Sequence, residues 1–371
     1  MKKCLFFTAS IMLAFKANAG EFVYDYSATA NTFYGYSDYS KNAHNHQKHG
    51  NTPSSAEIYT SAGYEFSEGS SLKLHLDAQI AGDKKIEDYN QGIWGENIYG
   101  VYNSKYGELS VGQMYNAAYQ LAVGAPSVGY FRANNSPITD FLLTNNWQRG
   151  KKPTAYRTLN STYLNTDGDA LKVSYITPEF YGTKLAVSYT PDSYSKAGLL
   201  SKQSSYEHKS SYAAGLYNSH EFDYFTLESS LGYAFNHKNN QEVSAGLSLY
   251  RKGWTLGGSY RKSFTSSHDY ALNSSKDLDI PYFYDGFRRS EAYNVGISYE
   301  IGPFKTGLTY FNSKADKTDN EDHIITFANR YAFHKNAALY LATAFAEYKG
   351  AKNEVISNRG TAVIAGLELE L

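Results

Sequence analysis

Apolar residues recur at every second position along most of this 371-residue chain. In the segment 72–80, for example, leucine, alanine and isoleucine alternate with Lys73, His75, Asp77 and Gln79. Successive side chains of a β-strand point to opposite faces, so each such segment predicts a strand with one apolar and one polar face. A helix has a period of 3.6 residues and would not keep this alternation.

Sixteen segments carry this pattern. They span approximately 21–37, 56–67, 70–82, 95–104, 107–115, 169–177, 182–190, 208–218, 223–235, 240–251, 254–265, 288–301, 303–314, 321–334, 337–349 and 358–371. The connections between them alternate in length. Long connections are expected at 38–55, 83–94, 116–168, 191–207, 266–287, 315–320 and 350–357, and only 236–239 is short where a long one should fall. This alternation is typical of an up-and-down antiparallel barrel, whose successive connections lie at opposite ends.

Composition and pattern together favour a transmembrane barrel over other classes. No window reaches the roughly 18 apolar residues of a membrane-spanning helix. Lys plus Arg total 35 and Asp plus Glu total 36, so no large basic field points to nucleic acid. A soluble β-sandwich would not need sixteen consecutive strands whose fifteen connections alternate in length, whereas a sheet in lipid has to be closed. The chain has 36 tyrosines and 20 phenylalanines, and this abundance favours aromatic girdles at the membrane interfaces.

The first 19 residues read as a secretory signal peptide. Lys2 and Lys3 precede the mostly apolar run 5–15, and Ala17-Asn18-Ala19 is a small-x-small cleavage site. We therefore expect one barrel domain over residues 20–371. Cleavage would remove three lysines, which changes the net charge from −1 to −4, and would also remove Cys4, the one cysteine. Disulfides are then excluded from the exported chain.

The predicted interior is wet and charged. A barrel of sixteen strands leaves an aqueous passage. The inward faces carry charges of both signs among serine and glycine, which a packed core would not tolerate. The lumen-facing candidates are Lys73, His75, Asp77, Arg261 and Arg330.

The longest connection, 116–168, is expected to fold into the lumen as a constriction. A structureless loop of this length is uncommon in a compact domain, and its apolar content favours packing. Ser136-Pro137 predicts a helix start, with a short helix up to about Leu143. The candidate constriction residues are Arg132, Asp140, Arg149, Lys151, Lys152 and Arg157, a locally positive set. The alternative is an exposed loop with scattered charges.

Three motifs resemble the general, non-specific porins of Gram-negative outer membranes. They are GELSVGQ at 107–113, RTLNS at 157–161 and YITPEFYG at 175–182. By architecture the resemblance covers essentially the whole mature chain. It implies a sixteen-stranded barrel, usually a homotrimer, in the outer membrane, in contact with the lipid bilayer and lipopolysaccharide. Its third outer loop would form the constriction, and ions and small polar solutes would diffuse passively.

The sequence departs from this family at three places. About a dozen residues separate the second motif from the third, which normally adjoin. The constriction loop has no P-E-F-G-G stretch, and the final residue is Leu371 rather than an aromatic. By resemblance, Asp140 would be the acid on the loop side of the constriction. Arg157, with Arg261 and Arg330, would supply bases on the wall side, which creates a transverse field.

Other functions have weaker support. We find no G-x-S-x-G or H-E-x-x-H motif, and the pair His75 and Asp77 reads as polar lining, so no catalytic residue and no cofactor are predicted. His44, His46 and His49 form a weak metal-site candidate in a polar loop that offers no acid or thiol partner. A substrate-specific porin and a surface adhesin or recognition barrel remain as alternatives. The former predicts a saturable lumenal site and the latter a plugged lumen.

Overall fold

The computed structural model describes residues 20–40, 52, 54–81, 92–134, 138, 141–142, 158–193, 210–236, 240–264, 290–316, 320–349 and 357–371. The predicted signal peptide and the histidine-rich loop lie outside these residues. Of the predicted helix 136–143, only Ile138, Phe141 and Leu142 are described, and the amides of the latter two donate to the Ile138 carbonyl oxygen. In the described part of the chain, no helix has the length and apolarity to traverse a bilayer.

The strands form one closed antiparallel barrel in which neighbours in sequence are neighbours in space and the first strand pairs with the last. The strands are β1 (Gly20–Tyr39), β2 (Ser54–Phe66), β3 (Ser71–Ala81), β4 (Gly92–Ser104), β5 (Gly107–Gln113), β6 (Leu171–Ile176), β7 (Thr183–Thr190), β8 (Ser211–Glu221), β9 (Thr226–Asn236), β10 (Asn240–Arg251), β11 (Trp254–Ser263), β12 (Ser290–Ile301), β13 (Phe304–Ala315), β14 (Glu321–His334), β15 (Ala337–Lys349) and β16 (Asn358–Glu370). One short helix, α1 (Ala117–Gln120), follows β5. The predicted sixteen-stranded barrel is confirmed, with strand ends shifted by a few residues.

The apolar faces of the strands point outward. In β3, Leu72, Leu74 and Leu76 are 37–39 % exposed, while Lys73 and His75 point to the other face. A soluble protein would bury such a band, whereas a closed barrel in lipid leaves it on the outside and hides its backbone polar groups between strands. An apolar band on the outside and polar side chains on the inside are the pattern of a transmembrane barrel.

Tight turns close the strands at one end of the barrel. Lys252 and Gly253 join β10 to β11 with φ angles of 46° and 84°. Positive φ at both central residues is the type I′ geometry that matches the twist of a two-residue hairpin, and glycine adopts it without steric cost. This end is called the short-turn end below.

The largest apolar core lies inside the barrel. The connection between β5 and β6 contributes Val128, Phe131, Ile138, Phe141, Leu142 and Leu159, and the wall contributes, among others, Phe33, Phe311, Ile324, Tyr340 and Ile364. These wall residues lie on the strand faces opposite the exposed band. The described part of this connection therefore lies inside the barrel and packs against one side of the inner wall.

Candidate functional site: the channel interior

The first part of the β5–β6 connection, residues 114–134, is called the inner segment. It follows the inner wall from β7 to β15, and polar side chains of the wall bind its backbone. The pairs are Ala117 N with Ser188 Oγ (3.1 Å), Val123 N with Ser230 Oγ (2.9 Å), Gly124 O with Ser248 Oγ (2.8 Å), Ala125 N with Asn294 Oδ1 (3.1 Å) and Tyr130 N with Tyr340 Oη (3.3 Å). Because irregular backbone needs partners when buried, these bonds fix the path of the segment.

The wall carries glycine where the inner segment passes. We call this set the glycine track; its members are Gly215, Gly232, Gly246, Gly257, Gly296 and Gly307, one in each strand from β8 to β13. A Cβ atom at Gly246 would collide with the carbonyl oxygen of Val123, and one at Gly257 would lie 2.6 Å from the carbonyl oxygen of Gly124. The backbone of the segment thus packs directly on the backbone of the sheet.

The glycine track predicts a specific mutational effect. Gly246→Ala should displace the inner segment and lower the free energy of unfolding by about 1–3 kcal/mol, the usual cost of overpacking. Gly100→Ala is the matched control, because the nearest atom to a Cβ there is 4.0 Å away. Urea unfolding in micelles and single-channel recording measure the two effects. Equal stability and conductance of both variants would contradict the assigned packing.

The end of the connection, residues 158–170, is called the return segment, and Arg261 holds it to the wall. The guanidinium donates to Glu242 Oε2 from Nε (2.9 Å) and Nη2 (2.6 Å) and to the carbonyl oxygens of Tyr163 (2.8 Å) and Ser161 (3.3 Å). Both charged side chains are 0 % exposed. Arg261 thus faces inward, as expected, but it is covered by chain and neutralised rather than presented to water.

A buried polar network joins the two ends of the connection. Asn116 Nδ2 donates to Asp167 Oδ1 (2.8 Å) and to the Leu164 carbonyl oxygen (3.0 Å). The Lys172 ammonium donates to the carbonyl oxygens of Gly168 (2.9 Å), Ala170 (2.8 Å) and Met114, and lies 3.7 Å from Asp167 Oδ2. The root of the connection is therefore tied to β6.

Two ionisable groups of the return segment are perturbed by this packing. Burial, reinforced by the charge of Asp167 and opposed by Lys172, raises the pKa of Asp169 to about 6. Burial also raises the pKa of Tyr163 above its ordinary value. Both shifts have the sign expected when an acid loses hydration.

Between the inner segment and the short-turn end lies a cavity of about 500 Å³. Residues 120–127 form one side, and Lys184, Tyr217, Glu228, Tyr250 and Lys305 line the wall. The hydroxyls of Tyr217 and Tyr250 each donate to one oxygen of Glu228, both at 2.9 Å. Charges of both signs and hydroxyl groups make this space suitable for water.

The inner face of β2 to β4 bears a pair of carboxylates that we call the acidic wall, Glu57 and Asp77. Tyr59 donates to Glu57 Oε2 (2.5 Å), and Asn97 Nδ2 donates to Asp77 Oδ2 (3.1 Å). Tyr59 is 39 % exposed although it points inward, so this wall faces open lumen. In the described part of the chain neither carboxylate forms an ion pair.

The other lumen-facing candidates are also on inner faces. Lys73 pairs with Glu65 (2.8 Å), and the His75 ring stacks on Tyr99 with centroids 5.0 Å apart. Arg330 pairs with Glu368 (2.7 Å) and Glu370 (3.2 Å).

The loop candidates are only partly visible. Arg132 is exposed on the inner segment. Asp140, Arg149, Lys151, Lys152, Arg157, His44, His46 and His49 lie outside the described residues, and their roles stay predictions. In the ranges the structure covers, no group of three or more His, Cys, Asp or Glu side chains is arranged for a metal ion.

Several important residues were missed by sequence reasoning. Glu242, the partner of Arg261, belongs to the same hairpin, but only the strand register brings the two together. Asn116 and Asp167 are 51 positions apart, and no periodic pattern connects them. The one usable signal was the glycine track, a glycine near the middle of each strand from β8 to β13.

Comparisons with known proteins agree with this architecture. A profile of the family described as Gram-negative porin matches residues 7–351. No curated protein matches the sequence. Among solved structures, the anion-selective porin from Comamonas acidovorans has 16 % identity and a TM-score of 0.60, over 95 % of this chain and 100 % of that one. OmpT of Vibrio cholerae, solved in trimer form, has 13 % identity and a TM-score of 0.57, over 94 % and 99 %.

Proposed function

The chain belongs to the Gram-negative porin family, and from that premise we propose that ions and small hydrophilic solutes cross it between the inner segment and the acidic wall. It is an outer-membrane channel for passive diffusion. The observation that carries the proposed path is the inner segment, which is bonded to one side of the wall while Tyr59 on the other side stays exposed. The process requires no covalent step and no energy source.

The proposed constriction has bases on the loop and acids on the wall. Arg132 is exposed on the inner segment. Arg149, Lys151, Lys152 and Arg157 would add positive charge on the loop side, with Asp140 as the one acid among them. On the wall, Arg261 and Arg330 are paired with carboxylates, whereas Glu57 and Asp77 form no ion pair with any residue that the structure describes. This support favours a polarity opposite to the one implied by the resemblance, in which the wall supplied the bases.

The test of the channel proposal is single-channel recording in planar bilayers. A porin should give stable, ohmic conductance steps, and the reversal potential in a salt gradient should report the ion preference. Protein that inserts into the bilayer but passes no current would contradict the proposal and favour a recognition barrel. Current that saturates or is blocked by one solute class would indicate a substrate-specific porin.

We propose a homotrimer in the membrane. The support is the family resemblance and the trimer form of the Vibrio cholerae relative. Unheated protein should migrate in SDS gels at about three times its mass and, after boiling, as the monomer, and channels should close in three equal sub-steps. A single conductance level together with a monomeric mass in detergent would contradict the trimer.

We also propose cleavage of the signal peptide after Ala19. The support is the small-x-small site Ala17-Asn18-Ala19 after an apolar run, together with the pairing of Gly20 with Phe66, the last residue of β2. Mass spectrometry of the outer-membrane form should give Gly20 as the first residue. A chain that retains Lys2 and Lys3 would contradict this expectation.

A further inference from the structure

The return segment concentrates buried oxygen atoms that lack partners. Among the described residues, eight buried side-chain atoms have no hydrogen-bond partner, and four of them lie between positions 160 and 169. These four are Asn160 Oδ1, Asn165 Oδ1, Thr166 Oγ1 and Asp169 Oδ1. Thr166 is only 8 % exposed. Buried polar atoms are normally satisfied, so such a cluster of acceptors calls for a ligand that offers positive charge or protons.

We propose that a divalent cation of the Ca²⁺ type binds at the turn 165–169, with oxygen atoms of Asn165, Thr166 and Asp169 among its ligands. Calcium takes carboxylate, amide and other oxygen ligands in a flexible geometry. Here Asn165 and Thr166 precede Gly168, whose φ of 51° turns the chain, and Asp169 follows it. This site is independent of the proposed solute path.

The neighbouring lysine does not fulfil this need. The Lys172 ammonium is already bound by three backbone carbonyl oxygens and the Asp167 carboxylate. Asp167 in turn accepts from Asn116 (2.8 Å) and Thr190 (2.5 Å). Asp169 remains as a largely buried carboxylate whose Oδ1 has no donor among the described residues. With Asp167, Asp169 and Lys172 together, the turn carries a net charge of −1, which attracts a cation.

The test uses the full mature protein in detergent, stripped of metals with EDTA, and the probes are Tb³⁺ and Ca²⁺. Tyr163 lies in the same segment and should sensitise Tb³⁺ emission, which Ca²⁺ should displace with a dissociation constant on the order of 10⁻⁴–10⁻³ M, the range of extracellular calcium modules. Asp169→Asn should weaken binding by about tenfold or more. Glu68→Gln, a carboxylate in the exposed turn between β2 and β3, is the control and should leave binding unchanged.

Asp169→Asn should fold, because it removes a buried charge without changing the side-chain size; folding is checked by heat-modifiable migration in gels. If that variant does not fold, Asn165→Ala takes its place in the same comparison. The proposal is overturned if the stripped wild type gives neither sensitised emission nor a calorimetric signal with Ca²⁺. It is also overturned if the folded variant binds as tightly as the wild type, since Asp169 would then simply carry a proton.

Discussion

Arg261→Met should loosen the return segment and lower the free energy of unfolding by about 3–5 kcal/mol, the cost of leaving a buried charge without its partner. The variant leaves Glu242 fully buried and removes the donor to the carbonyl oxygens of Ser161 and Tyr163. We therefore also expect larger and noisier conductance, because the connection that we propose as the constriction is no longer held at its end. Urea unfolding in micelles and single-channel recording measure the two effects.

Two controls make this prediction specific. Arg330→Met removes an inward arginine that is 24 % exposed, and Glu368 keeps the Tyr340 hydroxyl as a donor at 2.7 Å. It should therefore cost less, about 1–2 kcal/mol. Arg261→Met combined with Glu242→Leu removes both buried charges, and should recover most of the lost stability but not the bonds to the return segment. If the Arg261→Met variant has the same free energy of unfolding and the same conductance noise as the wild type, the pair of Arg261 and Glu242 does not hold the return segment in place.

Glu57→Gln with Asp77→Asn should shift ion preference toward anions. A unit charge about 5 Å from a permeating ion in water contributes about 0.8 kcal/mol, a factor of about four in its local concentration. The two carboxylates lie on the same inner wall and form no ion pair among the described residues, so their charge is available to the lumen. The reversal potential in a salt gradient gives the permeability ratio before and after substitution.

The matched control for selectivity is Glu68→Gln, which removes one negative charge from an exposed turn outside the lumen. It should leave the permeability ratio within error of the wild type. High salt should reduce the effect of the acidic-wall variant, because the screening length is only about 3 Å at 1 M. A ratio that does not change in the double variant at low salt would place the selectivity determinants elsewhere.

The barrel could be predicted from the sequence because its signal is local and repeated. The alternation in a segment such as 72–80 reports which face meets lipid, and sixteen such segments leave few alternatives to a closed sheet. The inward direction of Lys73, His75 and Asp77 follows from the same alternation, and it agrees with the structure.

The interior contacts could not be predicted in this way. The inner segment has no period, and α1 has only four residues, too few for a recognisable amphipathic pattern. Its hydrogen bonds reach residues up to 210 positions away, so the register of many strands has to be known first. The expectation that Arg261 is a basic residue of the wall did not include its counter-ion Glu242, since charge pairing depends on distances that the sequence does not contain.

The glycine track has a consequence for how such a pore can be altered. Six strands carry glycine where the inner segment passes, so the space that wall side chains would fill at this level is filled by the inner segment alone. The width of the lumen can therefore be changed by altering this one segment, without substitutions in the strands around it. A variant that lacks the inner segment would expose an arc of glycine backbone on β8 to β13 and leave a wider lumen, which is a useful starting point for a sensing nanopore.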